Sequence, residues 1–234
     1  MTMAELLTYE LDGGIATITM DDGKANAFSI AMLNELHGAF DQAEKDEAIL
    51  VITGREKFFS GGFDLKVFTD HPEQINEMLT LGATLCERAL AFPRPVITAA
   101  SGHALAAGTF LPLCADRRIG IEGPFKVGLN EVKIGMTVPL FAVELARQRL
   151  TPAHFSRAVI TAETYDPAGA AEAGFFDQVV APEDLAETTA AVAQEFLGLN
   201  AEAHVVTKLR VRGGAIKAVR SGIEIELVPA TPGG

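Results

Sequence analysis

Apolar and polar positions alternate with a period of two over Leu6–Leu11 and over Gly14–Met20, on either side of Asp12-Gly13-Gly14. Two such runs around that turn predict a β-hairpin. The rhythm then changes. Met32, Leu33, Leu36, Phe40 and Ala43 recur at helical spacing behind Ser29, a residue suited to the N-cap. Ile49–Thr53 is a short, wholly apolar strand stopped by Gly54. Pro72–Leu90 is expected as a helix, and Pro93-Arg94-Pro95 punctuates before a strand at Val96–Ala100. An apolar helix ending near Cys114 and a strand at Arg117–Ile121 follow.

Beyond these, Pro139–Leu150 reads as a helix, with Met136-Thr137-Val138 leading into it. Thr151 caps the next helix, with Pro152 at its first position. A small-residue helix runs from Thr164-Tyr165-Asp166-Pro167 to Gly174, and Phe175–Val180 reads as a strand. Pro182–Leu197 and roughly Glu202–Arg220 are the last predicted helices, and Val228–Gly234 is expected to fray. Ser221–Leu227 alternates apolar and charged residues without a helical face, and the pattern does not say what that segment covers. Strands alternating with helices predict an α/β core over residues 1–195, with 196–234 as a C-terminal helical region and tail.

Composition narrows the class. With 234 residues, 48% of them hydrophobic, the chain can bury one substantial core. A net charge of −12 argues against non-specific nucleic-acid binding, which needs a positive field. Cys86 and Cys114 fall in apolar helices and read as buried thiols. His37, His71, His154 and His204 share no ligand spacing, so no metal is expected. No basic-then-apolar leader opens the sequence, and no uncharged run approaches a membrane span. The expectation is a cytoplasmic, reduced protein without membrane insertion.

The candidate chemistry lies between Ile97 and Gly135. After Ser101-Gly102-His103 comes a run of tiny residues, Ala104, Ala106, Ala107 and Gly108. Without bulky side chains a ligand can lie on the backbone, and N–H groups at a helix start can point at negative charge. Downstream, Glu131 is a lone carboxylate among mostly uncharged neighbours. Backbone donors and a carboxylate in a dry site are the parts needed to make and hold an enolate.

Three signals stand in order: Asn26-Ala27 before a helix, Phe59-Ser60-Gly61-Gly62-Phe63-Asp64-Leu65 after a strand, and Ser101–Gly108 followed by Cys114-Ala115-Asp116-Arg117-Arg118-Ile119. Followed by Gly128-Leu129-Asn130-Glu131 and Ala173–Val180, they resemble the crotonase superfamily of enoyl-CoA hydratases and isomerases. The resemblance implies a spiral of repeated β-β-α units with a helical C-terminal region, assembled as homotrimers or hexamers. It implies an acyl-CoA thioester substrate; coenzyme A is part of that substrate, and no separate cofactor is implied. The thioester oxygen would sit between the backbone N–H groups of Gly61 and Ala107.

Lys24, Ala25, Ala27, Phe59, Gly61, Asp64 and Leu65 fall on the CoA-binding positions, with Asp64 holding the turn and Arg55, Lys57 and Lys66 near the nucleotide. Phe110, Phe63, Asn130 and Met136 fall on the acyl pocket, with Val67, Phe68, Val138 and Phe141 as further candidates. Asn130 is expected to orient Glu131, His103 to pack, and Asp116 to pair with Arg117 or Arg118. Leu129, Val132 and Phe110 are expected to dry Glu131 and raise its pKa.

Hydratases that this chain resembles hold one water between two glutamates. Here the first of those positions is Phe110 and the second is Glu131. A phenylalanine cannot take a proton, so the pattern favours shifting a 3-enoyl-CoA double bond with one glutamate as base. An enoyl-CoA hydratase (a lyase) and a non-catalytic acyl-CoA-binding protein are the alternatives.

Overall fold

The computed structural model describes residues 6–227. Strands β1 (Leu7–Asp12) and β2 (Ile15–Met20) form the expected antiparallel hairpin, and β3 (Ala27–Phe28) leads into helix α1 (Ile30–Lys45). Ser29 caps α1, its Oγ accepting from the Met32 N–H at 3.2 Å.

The chain then repeats one pattern three times. β4 (Ile49–Gly54) and β5 (Lys57–Ser60) lead through the short β6 (Gly62–Phe63) and α2 (Leu65–Asp70) to α3 (Ile75–Ala91). β7 (Val96–Ala100) and β8 (Gly102–Leu105) lead to α4 (Phe110–Cys114). β9 (Arg117–Ile121) and β10 (Val127–Gly128) lead to α5 (Leu140–Arg149). Helices α6 (Pro152–Ile160) and α7 (Pro167–Ala173), strand β11 (Gln178–Val180), α8 (Leu185–Leu197) and α9 (Ala201–Glu226) complete the described chain.

First strands of the units lie side by side in a six-stranded sheet ordered β1-β2-β4-β7-β9-β11, parallel except at the β1–β2 hairpin. Second strands make a smaller parallel sheet, β10-β8-β5. Each turn of chain therefore adds one strand to each sheet and one helix outside: a spiral of β-β-α units. Covered on both faces, β7 is buried along its whole length, as its unbroken apolar sequence requires.

Local boundaries differ from the sequence expectation where tertiary packing decides them. Pro72–Gln74 is a 3-10 turn ahead of α3, and the small-residue run makes a 3-10 turn at Ala106–Thr109 before α4. The strand expected over Phe175–Val180 keeps only its last three residues. Phe175 and Phe176 are buried ahead of it, and Asp177 turns to pair with Arg118. The final helix continues through Ser221 to Glu226, because Gly222 lets it lie against the backbone of Leu140 and Phe141. Val228–Gly234, expected to fray, lies outside the described residues. Cys86 and Cys114 are both free and buried, and burial pushes the Cys86 thiol up. Among the described residues no helix is long and apolar enough to cross a membrane.

Helix α9 is tied to the core by a buried charge cluster. Lys208 Nζ and Arg212 Nη2 each lie 2.7 Å from Asp116 carboxylate oxygens. Arg212 also donates to the carbonyls of Cys114 and Ala115 at 2.6 and 3.0 Å, capping the C-terminal end of α4. This corrects the expected pairing of Asp116 with Arg117 or Arg118: the partners come from about ninety residues away, and no local pattern encodes them. Asp116→Asn leaves Lys208 and Arg212 buried without their carboxylate. Urea denaturation is expected to show a loss of about 3–5 kcal/mol. A midpoint equal to the parent's would remove the cluster from the account of stability.

Candidate active site

Asn26, fully buried, organises the first loop. Its Nδ2 donates to the carbonyls of Met20, Phe58 and Phe59, and its Oδ1 accepts from the Asp22 N–H. The residue adopts φ +50, a left-handed conformation that asparagine tolerates better than most. The loop is thereby fixed against β5. Ser60 Oγ donates to Asn26 O at 2.7 Å and accepts from the Gly62 N–H at 3.2 Å.

Two backbones then meet almost without side chains. A Cβ on Gly62 would lie 2.9 Å from Leu105 O and 3.2 Å from Ala107 N; one on Gly108 would lie 2.2 Å from Ser60 O. Larger residues would push the loops apart. Ala106, at this junction, holds φ +49, a conformation costing a non-glycine residue about 1 kcal/mol. Ala107 is fully buried behind it, in the first turn of the 3-10 segment, where a backbone N–H has no partner within the helix.

Glu131 enters from the third β-β-α unit. A 3-10 turn, Val132–Ile134, folds back on it, and its carbonyl accepts from Ile134 and Met136 N–H at 3.0 and 2.9 Å. Its side chain is 6% exposed, and Oε2 has no hydrogen-bond partner among the described residues. Burial raises its pKa from 4.5 to about 7. Leu129 and Phe110 are buried with it as expected, whereas Val132 is exposed. A buried carboxylate with an unpartnered oxygen is costly, and such groups concentrate where chemistry uses them.

Leu105, Ala106 and Glu131 border one cavity of about 610 Å³, whereas Ala107, expected at the oxyanion position, is fully buried and not among the residues on its wall. Gly61, Phe63, Leu65, Phe110, Asn130, Glu131 and Met136, all named from sequence, line it, as does Phe68. Phe110 makes edge contacts with Phe63 and Phe141, ring centroids 6.0 and 5.4 Å away, so an aromatic wall occupies the position in question. Leu79, Ile134, Glu226 and Leu227 also line the cavity and went unnamed. They sit on α3, on the turn after Glu131, and at the end of α9, where no local motif marks them.

Several expectations need correction. The Gly61 N–H donates to Ala25 O at 2.7 Å, so it is already committed and not free to hold an oxygen. Phe59 is fully buried, and its side chain belongs to the core rather than to a ligand surface. Asn130 Oδ1, like Glu131 Oε2, is unpartnered among the described residues, and the orienting bond between them is not made. Val67, Val138 and Phe141 pack in or against the core instead of lining the cavity. Asp64 does hold the turn, its side chain accepting from the Lys66 N–H to cap α2. His103 packs between Phe58 and Phe125, and its Nδ1 accepts from the Lys126 N–H. Lys24 is exposed and Ala25 and Ala27 half-buried, none of them on the cavity wall; Arg55 pairs with Asp21 and donates to Lys24 O.

The family model for enoyl-CoA hydratase/isomerase matches residues 10–227. This chain belongs to that family. Among relatives of the enoyl-CoA hydratase/isomerase family, a probable enoyl-CoA hydratase of Bacillus subtilis is 36% identical over 140 residues. That match covers 58% of this chain and 54% of the Bacillus protein, so the chain spans about half the length of that relative. A Pseudomonas syringae family member superposes with a TM-score of 0.93 at 47% identity, over 95% of this chain and 96% of that one. A Mycobacterium tuberculosis enoyl-CoA isomerase gives 0.90 at 43%, over 95% and 97%. A second structure of the same mycobacterial protein bears the name probable enoyl-CoA hydratase.

The shifted Glu131 carboxyl has a thermodynamic consequence. The folded chain holds this proton more tightly than the unfolded chain does. The resulting stability is fully present below pH 4.5 and is lost as pH rises through about 7. From 4.5 to about 7, at about 1.4 kcal/mol per unit, the loss is about 3 kcal/mol. Glu131→Gln removes the titration. Urea midpoints are expected to match the parent near about pH 4 and exceed it near about pH 8. Equal pH dependence in both proteins would mean the carboxyl is not dry.

Proposed function

We propose that this chain moves the double bond of a 3-enoyl-CoA to position 2 through a thioester enolate, with Glu131 as the single base. Glu131 takes a proton from C2, and that C–H pair becomes part of the enolate. The displaced electrons return through C4, where the same carboxyl delivers the proton. The observation carrying this reading is the aromatic wall: Phe110, at 2% exposure, lines the cavity beside a carboxylate whose pKa is about 7. A base near neutrality in an apolar chamber suits carbon-to-carbon proton transfer, and no site on Phe110 can hold a water.

Fixed amide dipoles stabilise charge on the thioester oxygen without reorganising. One donor is the Ala107 N–H. With Gly61 committed to Ala25 and Gly62 to Ser60, the other is the N–H of Phe63, the next residue and part of the cavity wall. Exposed Lys24 and the loop at Ala25–Ala27, off the cavity wall, are assigned to the CoA nucleotide on the family resemblance, and exposed Val206, Leu209 and Val211 on α9 support assembly with further copies of the chain.

Enoyl-CoA hydration is the second reading, supported by the relatives' names and by a second carboxylate on the cavity, Glu226. Glu226 is exposed, and its Oε2 already accepts from the Leu140 N–H at 2.7 Å, which suits it less to activating water.

Offering 3-enoyl-CoA and 2-enoyl-CoA separately distinguishes the readings. The expected products are 2-enoyl-CoA from the first and little 3-hydroxyacyl-CoA from the second. Glu131→Gln is expected to lower kcat by about 10²–10⁴-fold. The parent's rate should rise with pH up to the Glu131 pKa near 7 and level above it. Rapid hydration abolished by Glu226→Gln would overturn the one-base reading in favour of the hydratase.

A further inference from the structure

The end of α9 meets the cavity in a way that the enolate chemistry does not require. Glu226 closes the helix, where a negative charge faces the negative end of the helix dipole and is disfavoured. Its carboxylate instead reaches the first residue of α5, accepting from the Leu140 N–H at 2.7 Å. There a negative charge is favoured. One residue on, the Leu227 carbonyl accepts from Asn76 Nδ2 at 2.8 Å, and the Leu227 side chain is 7% exposed. Two hydrogen bonds spanning 86 and 151 residues of sequence thus fix this turn against the starts of α5 and α3.

Helix α3 shows which end of the cavity this is. Gly82 lies against the Phe63 ring, where a Cβ would come within 2.6 Å of Cζ. One turn towards the N-terminus, Leu79 lines the cavity, and one turn further Asn76 holds Leu227. From Gly82 to Asn76 is six residues of α3, about 9 Å of helix. Leu227 therefore meets the cavity about two turns of α3 away from the point where that helix touches the Phe63 ring.

We infer that Leu227, held by Asn76, and Glu226, held by Leu140, form the far wall of the acyl cavity and set the longest acyl chain the site accepts. This rests on the acyl-CoA reading above, not on which reaction follows. Chains short of the wall gain apolar burial with each added methylene, about fourfold in affinity. Chains that reach it gain nothing further.

Two series test this: dissociation constants of saturated acyl-CoA thioesters of increasing length, and kcat/KM for matching 3-enoyl-CoA thioesters. Leu227→Ala is expected to extend the rising part of both series to longer chains, and Leu227→Phe to shorten it. Leu227→Ile should restore the parent's limit. A limit that stays put in both the Ala and Phe variants, or a uniform loss at all lengths, overturns the inference, since a merely structural Leu227 predicts the latter. If the binding limits move while no thioester is turned over, the wall stands and the isomerase reading falls. If turnover is normal and the limit is fixed, the wall alone falls.

Discussion

Everything at this site depends on two stretches of backbone touching where side chains would ordinarily keep them apart. Ser60–Gly62 and Leu105–Gly108 meet so closely that a methyl group on Gly108 would overlap a carbonyl, at 2.2 Å. The contact extends the parallel pairing of β5 with β8, and so it is produced by the spiral itself. From it follow the bare backbone wall, the position of Ala107 in a first turn whose own carbonyls do not reach its N–H, and the left-handed strain at Ala106. Asn26 secures the arrangement from the other side by holding three carbonyls with one amide group.

Against that rigid floor the third unit sets Glu131, and here stability and chemistry oppose each other. Buried along with Phe110 and Leu129, the carboxyl gives up solvation and its pKa rises to about 7, which on the proposed reading suits a group that takes and returns a proton. The fold tolerates this because the surrounding core is large and mostly apolar, and the walls of the cavity are themselves well packed aromatic rings. On the proposed reading, the aromatic wall beside this carboxyl also offers no group that could hold a water molecule.

How much of this was legible in the sequence depended on range. The hairpin and the helix caps follow from local pattern, and they arose where Ser29, Asp64 and Asp12-Gly13-Gly14 put them. The β-β-α units were implied by the family resemblance alone, since their short second strands carry no periodicity of their own. Glu131, Phe110, Phe63, Asn130 and Met136 were readable because motifs carry them, and one cavity gathers them all. Gly61 was misjudged because a motif names residues but not the direction of each N–H; Ala25 had already claimed that hydrogen. Asp116, Leu79, Glu226 and Leu227 were opaque for another reason. Their roles depend on α9 returning across α3, α4 and α5, and nothing near them in sequence records that.

The charge cluster at Asp116 has a bearing on how the pocket varies between related chains. Arg212 is clamped in rotation as well as position, because it serves Asp116 and two carbonyls at once. From Arg212 to Leu227 the chain is helical up to the final turn, so α9 behaves as a rod of set pitch with one end in a socket. Inserting one residue in that stretch would swing the tip by about 100° and take Leu227 off the cavity altogether. Removing a whole turn would keep its heading and withdraw it by about 5 Å. The depth of the pocket can therefore change in quantised steps of helix length while the turn that carries Glu131 and the backbone at Ala106–Gly108 keep their sequence.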